Sequence, residues 1–285
     1  MRAALADLNG KRMPLDEVMV PALDRGFLFG DAVYEVIRVY QGLPWLMDDH
    51  LRRLAYSLES VRIRGVDLER LHRRAQELIA AGPFREATVY IQVTRGIAPR
   101  HHSFPAAATP LELVYVKEFA DSYAEARRSG AAVITRPDIR WGRCDIKSTN
   151  LLANVLAAQE AKEAGCLEAL LYLPDGTLTE GTHTSFFGVL DGTVLTAPNS
   201  NDILPGITRS LILRLSARAG IPVREEVLRR DHLGRVSELF LTGTTTEVMP
   251  VVRVDGRPIA DGRPGAVTRR LQEAYQEAVR EFVGE

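Results

Sequence analysis

Only two cysteines occur in 285 residues, and neither Cys144 nor Cys166 stands in a spacing that suits a metal site or a disulfide framework. That usage fits a reducing compartment, and the cytoplasm is expected. Nowhere does the chain contain the roughly eighteen consecutive apolar residues of a membrane helix. The stretch Met1-Arg2-Ala3-Ala4-Leu5 meets Asp7, Asn9 and Gly10 before the apolar core of a signal peptide can form. Neither export nor membrane insertion is expected. Charge of one sign is also missing: 36 basic residues face 37 acidic ones, so nothing electrostatic favours nucleic acid or a lipid surface. Internal repeats and low-complexity tracts are absent.

What is present describes a globular chain, 46% hydrophobic and 26% charged, long enough for two domains with a site between them. Val33 to Tyr40 reads as a strand, rich in β-branched and aromatic residues and closed by a Gln41-Gly42 turn. Its period of two puts Tyr34, Val36 and Arg38 on one face, where Tyr34 and Arg38 can share a cavity, and Glu35, Ile37 and Val39 on the other. Helical spacing follows from an Asp49 cap through Leu51, Leu54, Leu58 and Val61, and again from an Asp67 cap to Gly82. Strands are expected over Thr88 to Thr94 and Leu111 to Val116, with a loop at Gly96 to Pro105. Apolar periodicity weakens over Lys117 to Arg128, which marks a boundary between a smaller domain, 1–120, and a larger one, 121–285.

The second half reads as a strand from Ala131 to Thr135 and a helix through Leu152, Val155 and Leu156 ending near Gly165. Strands at Glu168 to Leu173 and Ser185 to Leu190 flank a Glu180 loop. Hairpin turns stand at Asp191-Gly192 and Asp255-Gly256, a strand runs from Glu238 to Leu241, and helices span Ile207 to Ala219 and Ala266 to Phe282. Strands and helices mix without a regular βαβ alternation, which favours an α+β fold over a doubly wound sheet.

Chemistry concentrates at Lys147, in Cys144-Asp145-Ile146-Lys147-Ser148-Thr149-Asn150, and at Glu180, in Leu178-Thr179-Glu180-Gly181-Thr182. A pyridoxal phosphate enzyme needs this pair, an amine that forms a Schiff base with the cofactor aldehyde and a carboxylate that keeps the pyridine nitrogen protonated. An anion could rest on the helix start at Gly206-Ile207-Thr208, where unpaired N–H groups and the helix dipole face outward. Thr244, Thr245 and Thr246 offer hydroxyls and amides after the Glu238 to Leu241 strand. Each segment alone reads more readily as a turn, a cap or a solvated surface group.

Together with Arg25-Gly26-Phe27-Leu28-Phe29-Gly30-Asp31-Ala32-Val33-Tyr34-Glu35, these segments resemble, in the same order, the fold type IV pyridoxal phosphate enzymes, and over the whole chain the D-amino acid aminotransferases. The resemblance implies a two-domain fold with pyridoxal 5′-phosphate between the domains and transamination between a D-amino acid and a 2-oxo acid. It assigns the phosphate to the Ile207 amide, Thr208, Thr244 and Arg53, the last lying off the apolar stripe and free to point into a cleft. It also implies that Arg100 and His102, separated by one residue, bind the substrate α-carboxylate from the neighbouring subunit of a homodimer, with Tyr34 adding a hydroxyl and Thr245 and Arg38 near the substrate. A guanidinium that takes a carboxylate through two parallel hydrogen bonds also fixes which way Cα–H points.

One segment departs from the family pattern. Thr182-His183-Thr184-Ser185 stands where small hydroxyl residues and an asparagine are usual, and His183 could tune the cofactor, accept a substrate side-chain carboxylate, or bond the backbone. The related alternatives are a branched-chain L-aminotransferase, an (R)-amine transaminase and an aminodeoxychorismate lyase. A non-catalytic protein that holds pyridoxal phosphate is the alternative of a different class.

Overall fold

Asn9 and Gly10 adopt left-handed φ values of 51° and 89° and turn strand β1 (Leu5–Leu8) back on β2 (Lys11–Pro14), a hairpin that the sequence reading did not anticipate. In this computed structural model, which describes residues 4–285, the chain divides into two units. Residues 1–3, part of the stretch read for a signal core, lie outside the described residues. One unit comprises the chain up to Ala120 together with Ile146–Asn150, and the other Asp121–Asp145 and Leu151–Glu285.

In the first unit, α1 (Arg25–Phe29) precedes β3 (Ala32–Tyr40) and β4 (Leu43–Pro44), then α2 (Met47–Ser60), α3 (Leu68–Ala81), β5 (Ala87–Thr94) and β6 (Leu111–Glu118). The strands form a sheet in the order β2-β1-β6-β5-β3-β4. α2 and α3 cover one face, where Val33, Ile37, Val89 and Ile91 pack with Leu51, Leu54, Leu71 and Leu78. α2 starts earlier than its expected Asp49 cap: Leu46, at φ 53°, ends the preceding turn, and Asp48 and Asp49 lie inside the first turn, where acids suit the helix dipole. The Lys147 segment belongs to this unit because the Tyr34 amide donates to Lys147 O, Val33 bridges Ser148, and the Lys147 amide donates to Ser57 Oγ on α2.

The second unit runs α4 (Ala124–Ser129), β7 (Ala131–Pro137), α5 (Leu152–Glu163), β8 (Glu168–Tyr172), β9 (Leu178–Gly181), β10 (Ser185–Leu190), β11 (Thr193–Thr196), α6 (Ile207–Arg218), β12 (Val223–Glu225), β13 (Glu238–Gly243), β14 (Glu247–Val254), β15 (Arg257–Pro258) and α7 (Ala266–Val283). A mixed sheet orders them β12-β11-β10-β13-β14-β7-β8-β9, with β15 paired to β14. α4 occupies part of the stretch read as a boundary. Glu180 lies on a strand, β9, and not in a loop. α5 buries Ala157 and Ala161 against β7 and β8, while Leu152, Val155 and Leu156 stay exposed. Among the described residues no helix is long and apolar enough to cross a membrane.

Candidate active site

In the first unit, β3 alternates its side chains between two environments. Tyr34 lies on the face away from the helices and stacks on Tyr90, which stacks in turn on Tyr115, with ring centroids 5.7 and 4.8 Å apart. Lys147 Nζ lies 4.4 Å from the centre of the Tyr34 ring. The lysine and the tyrosine are therefore brought together. Arg38 shares the face of Tyr34 but not its surroundings. Four residues along a strand is about 13 Å, and at that distance Arg38 pairs with Glu86, donates to Ala87 O and is covered by Tyr40 and Phe119. The two side chains do not share a cavity, because Nη1 and Nη2 of the arginine are engaged by Val39 O, Ala87 O and Glu86 where β5 begins.

On the opposite face Glu35 is fully buried. It accepts from Arg53 Nε and Nη2 at 2.7 and 2.8 Å and bonds His50 Nδ1 at 2.7 Å. Arg53 is thus buried on the same face of α2 as His50 and Ser57, and not free in a cleft as the helical pattern suggested. Burial opposes ionisation of Glu35, but Arg53 and then His50 hold its carboxyl down at about 2. Burial lowers the affinity of His50 for a proton, with Glu35 opposing. The signal for this cluster was in the sequence: a single acid between Val33 and Ile37 on the core face of a strand requires a buried partner.

Arg100 and His102 are exposed, and both lie against the Phe29 ring, at 5.2 Å for the guanidinium and 5.6 Å between ring centroids.

In the second unit, Glu180 is buried on β9, and its Oε1 accepts from Arg140 Nη1 at 2.5 Å and from the Leu204 amide at 3.0 Å. Arg140 is also held by Asp138, which accepts from the Thr179 hydroxyl. Burial raises the Glu180 carboxyl to about 7, while Arg140 and the Leu204 amide oppose the rise. Sequence reasoning missed Arg140, since Asp138-Ile139-Arg140 reads as an ordinary charged turn.

Leu204 leads into Gly206, the residue before α6, where no side chain caps the first amides. Ser185 Oγ occupies the position that a Cβ on Gly206 would need, so any larger residue there must displace it. Ser185 pairs with Thr242 on β13, which places the Gly243–Thr246 turn beside the start of α6. Thr208 is buried, and Thr244 and Thr245 are half-buried. The hydroxyls of Thr242 and Thr246 are buried without a hydrogen-bond partner among the described residues. Below them, fully buried Glu168 accepts from the hydroxyls of Thr182 and Thr184 and contacts His183 Nδ1 at 3.0 Å. Burial opposes its ionisation too, but His183 and Thr182 hold it at about 2. The ring contacts of His183 are to the Glu168 carboxylate and the Thr182 hydroxyl, neither of which is among the three readings offered by the sequence.

The family model for amino-transferase class IV matches residues 32–254. The chain belongs to the class IV aminotransferases. This aminotransferase is 40% identical over 275 residues to a D-alanine aminotransferase of Bacillus licheniformis, covering 95% of each chain. It is 38% identical over 277 residues to one of Staphylococcus aureus strain N315, covering 95% of this chain and 96% of the other. Among solved structures, it is similar to the Escherichia coli branched-chain amino acid aminotransferase, with a TM-score of 0.90, 27% identity and coverage of 97% and 94%. It is also similar to a second branched-chain amino acid aminotransferase, from T.th., solved with pyridoxamine 5′-phosphate, with a TM-score of 0.88, 30% identity and coverage of 98% and 95%. The expected fold type IV α+β architecture is borne out, and the aminotransferase is a pyridoxal phosphate enzyme.

The residues present fit that cofactor. Uncapped α6 amides and the hydroxyl-rich turn beside them suit a phosphate. Both bonds to Glu180 fall on Oε1, so Oε2 is left to accept from a pyridinium N–H. Lys147, over the Tyr34 ring, carries the kind of amine such a cofactor needs.

Proposed function

We propose that the chain exchanges the amino group between a D-amino acid of the alanine and glutamate class and a 2-oxo acid, in two half-reactions that use the same residues. The observation that supports this reading is Arg100 and His102 together on one ring, a pair suited to a carboxylate, in a chain more identical to D-alanine than to branched-chain aminotransferases. Pyridoxal phosphate, when bound, supplies a ring that accepts the electron pair left at the amine-bearing carbon.

The remaining work falls to the chain's own groups. Lys147 Nζ would be the attachment point of the cofactor and the base that moves the proton of the substrate Cα. The Tyr34 ring holds the amine on its face, and its hydroxyl adds to the carboxylate site. Glu180 keeps the pyridine nitrogen protonated, with Arg140 fixing the position of its carboxylate. The Ile207 amide, Thr208 and Thr244 hold the phosphate, with Arg53 as cationic partner on its Glu35 anchor. Arg100 and His102 take the substrate carboxylate, and Thr245 borders the substrate side chain. One orientation of Cα–H toward Lys147 then favours one enantiomer.

A homodimer in which each Arg100 and His102 serve the other subunit is part of this proposal. It is supported by the apolar face that Leu152, Val155 and Leu156 expose on α5, 73% exposed at Leu152. The two free cysteines suit a cytoplasmic protein.

A half-reaction panel with paired D- and L-alanine, glutamate and leucine, followed by cofactor absorption, tests the reading. D-Alanine and D-glutamate are expected to convert the cofactor fastest, and Lys147→Ala to convert none. Faster conversion by L-leucine would establish the branched-chain alternative, which the structural neighbours favour.

A further inference from the structure

Arg25 is 3% exposed and spends its guanidinium on the loop that carries Arg100 and His102. Its Nη1 donates to His101 O at 2.6 Å and Ser103 O at 3.4 Å, and its Nη2 to His102 O at 3.3 Å. Three successive carbonyls are gathered by one side chain. Arg25 Nε donates to Asp31 Oδ2 at 2.8 Å, and Asp31 takes a second arginine, Arg95, through Nε and Nη2 at 2.8 and 2.9 Å. Arg95 in turn donates to Val61 O and Arg62 O at the end of α2, and its guanidinium lies 3.6 Å from the centre of the Phe104 ring. The same loop is therefore fastened at its middle by Arg25 and at its far end by Arg95, with one carboxylate joining the two. At its base, Gly96 passes so close to Thr109 O that no Cβ would fit. The Phe29 ring faces Arg25 at 4.9 Å as well as Arg100 and His102.

A loop of exposed residues does not need two buried arginines merely to close. Arginine forks fix direction as well as distance, and a carboxylate clamp works only when its donors stand ready before the substrate arrives. We infer that Arg25, Asp31 and Arg95 are positioning residues for the carboxylate clamp: they hold Arg100 and His102 at a fixed spacing on Phe29, and substrate affinity and enantiomer choice depend on that spacing. The inference rests on the reading of Arg100 and His102 given above. Because the holder touches backbone carbonyls and not the substrate, its loss acts through binding and orientation. Lys147 and its proton transfer are left intact.

The test compares holoenzyme carrying Arg25→Lys, Asp31→Asn, Arg100→Ala, and Arg25→Lys with Arg100→Ala. Arg25→Lys keeps the charge but loses the fork. It is expected to raise KM for D-alanine about tenfold with kcat within about twofold, to reduce the ratio of D- to L-alanine rates, and to keep the visible absorption of the bound cofactor. Asp31→Asn, which removes the charge that joins both fasteners, should do more, and amide hydrogen exchange should quicken over residues 100–104 in both. On the Arg100→Ala background Arg25→Lys should add less than its effect alone, since one of the two groups it positions is gone. If Arg100→Ala raises KM but Arg25→Lys does not, or if the two effects multiply fully, the positioning role is overturned while the clamp stands. If Arg100→Ala itself leaves KM and the D to L ratio unchanged, the clamp reading falls and takes this inference with it.

Discussion

Glu35 shows how far one residue's environment can depart from what its place in a strand suggests. A carboxylate among Val33, Ile37 and Val39 is tolerated because Arg53 meets it through two parallel bonds and His50 through a third. Removing one partner leaves the other charge buried alone. In the cofactor-free protein Glu35→Ala is expected to lower stability by about 3–5 kcal/mol, measured by denaturant unfolding. The pH dependence carries the same signature. Glu35 and Glu168 ionise near 2 in the folded chain, below the ordinary 4.5. Their contribution is therefore complete above pH 4.5 and is lost as pH falls toward 2. Acid titration of unfolding should show a steep loss in that window, and Glu35→Ala should flatten it; an unchanged slope would separate the acid limb from this cluster. Part of this scale was legible: residue type singled out Lys147 and Glu180, and the structure sets Lys147 on the Tyr34 ring and buries Glu180. The partners Arg140, Glu168 and Arg25 were not, because a charged residue looks the same in a sequence whether it is solvated or buried.

Among the elements, α6 depends on a glycine for reasons of contact rather than dihedral freedom. Gly206 has an ordinary φ of -65°, but Ser185 Oγ fills the space beside it. Gly206→Ala must push Ser185 or the first turn of α6 aside. It is expected to weaken pyridoxal phosphate binding about tenfold, roughly 1.4 kcal/mol, in equilibrium titrations. Gly234→Ala, where the added methyl group meets nothing within 4 Å, serves as the control that should bind normally. Equal affinities in the two variants would remove the α6 start from the phosphate site. Long periodic elements such as α3 and β5 were readable because burial on one face imposes a period. α1, with five residues, is too short for a period to show, and β9, with four, is buried at every position and shows no alternation. α5 was readable as a helix, but its leucines and valine mark an exposed apolar face, and small alanines make the contact with the sheet.

For the whole molecule, that exposed face is an apolar surface that no described residue covers. If a second copy covers it, Leu152→Glu with Leu156→Glu should shift the protein from dimer toward monomer in sedimentation velocity and lower D-alanine turnover, since Arg100 and His102 would lose the site they serve. A dimer undisturbed by both charges would place the interface elsewhere.

The sequence by itself determined the reactive inventory, the family and the longer elements, because those follow from residue type, motif order and local periodicity. Only the tertiary structure decided the order of strands in each sheet, the passage of Ile146–Asn150 into the first unit, and the pairings of Glu35 with Arg53, Glu180 with Arg140 and Arg25 with the loop at 101–103. Those contacts join residues far apart in the chain. They form where burial leaves a charge or carbonyl no other partner, a condition that no local pattern records.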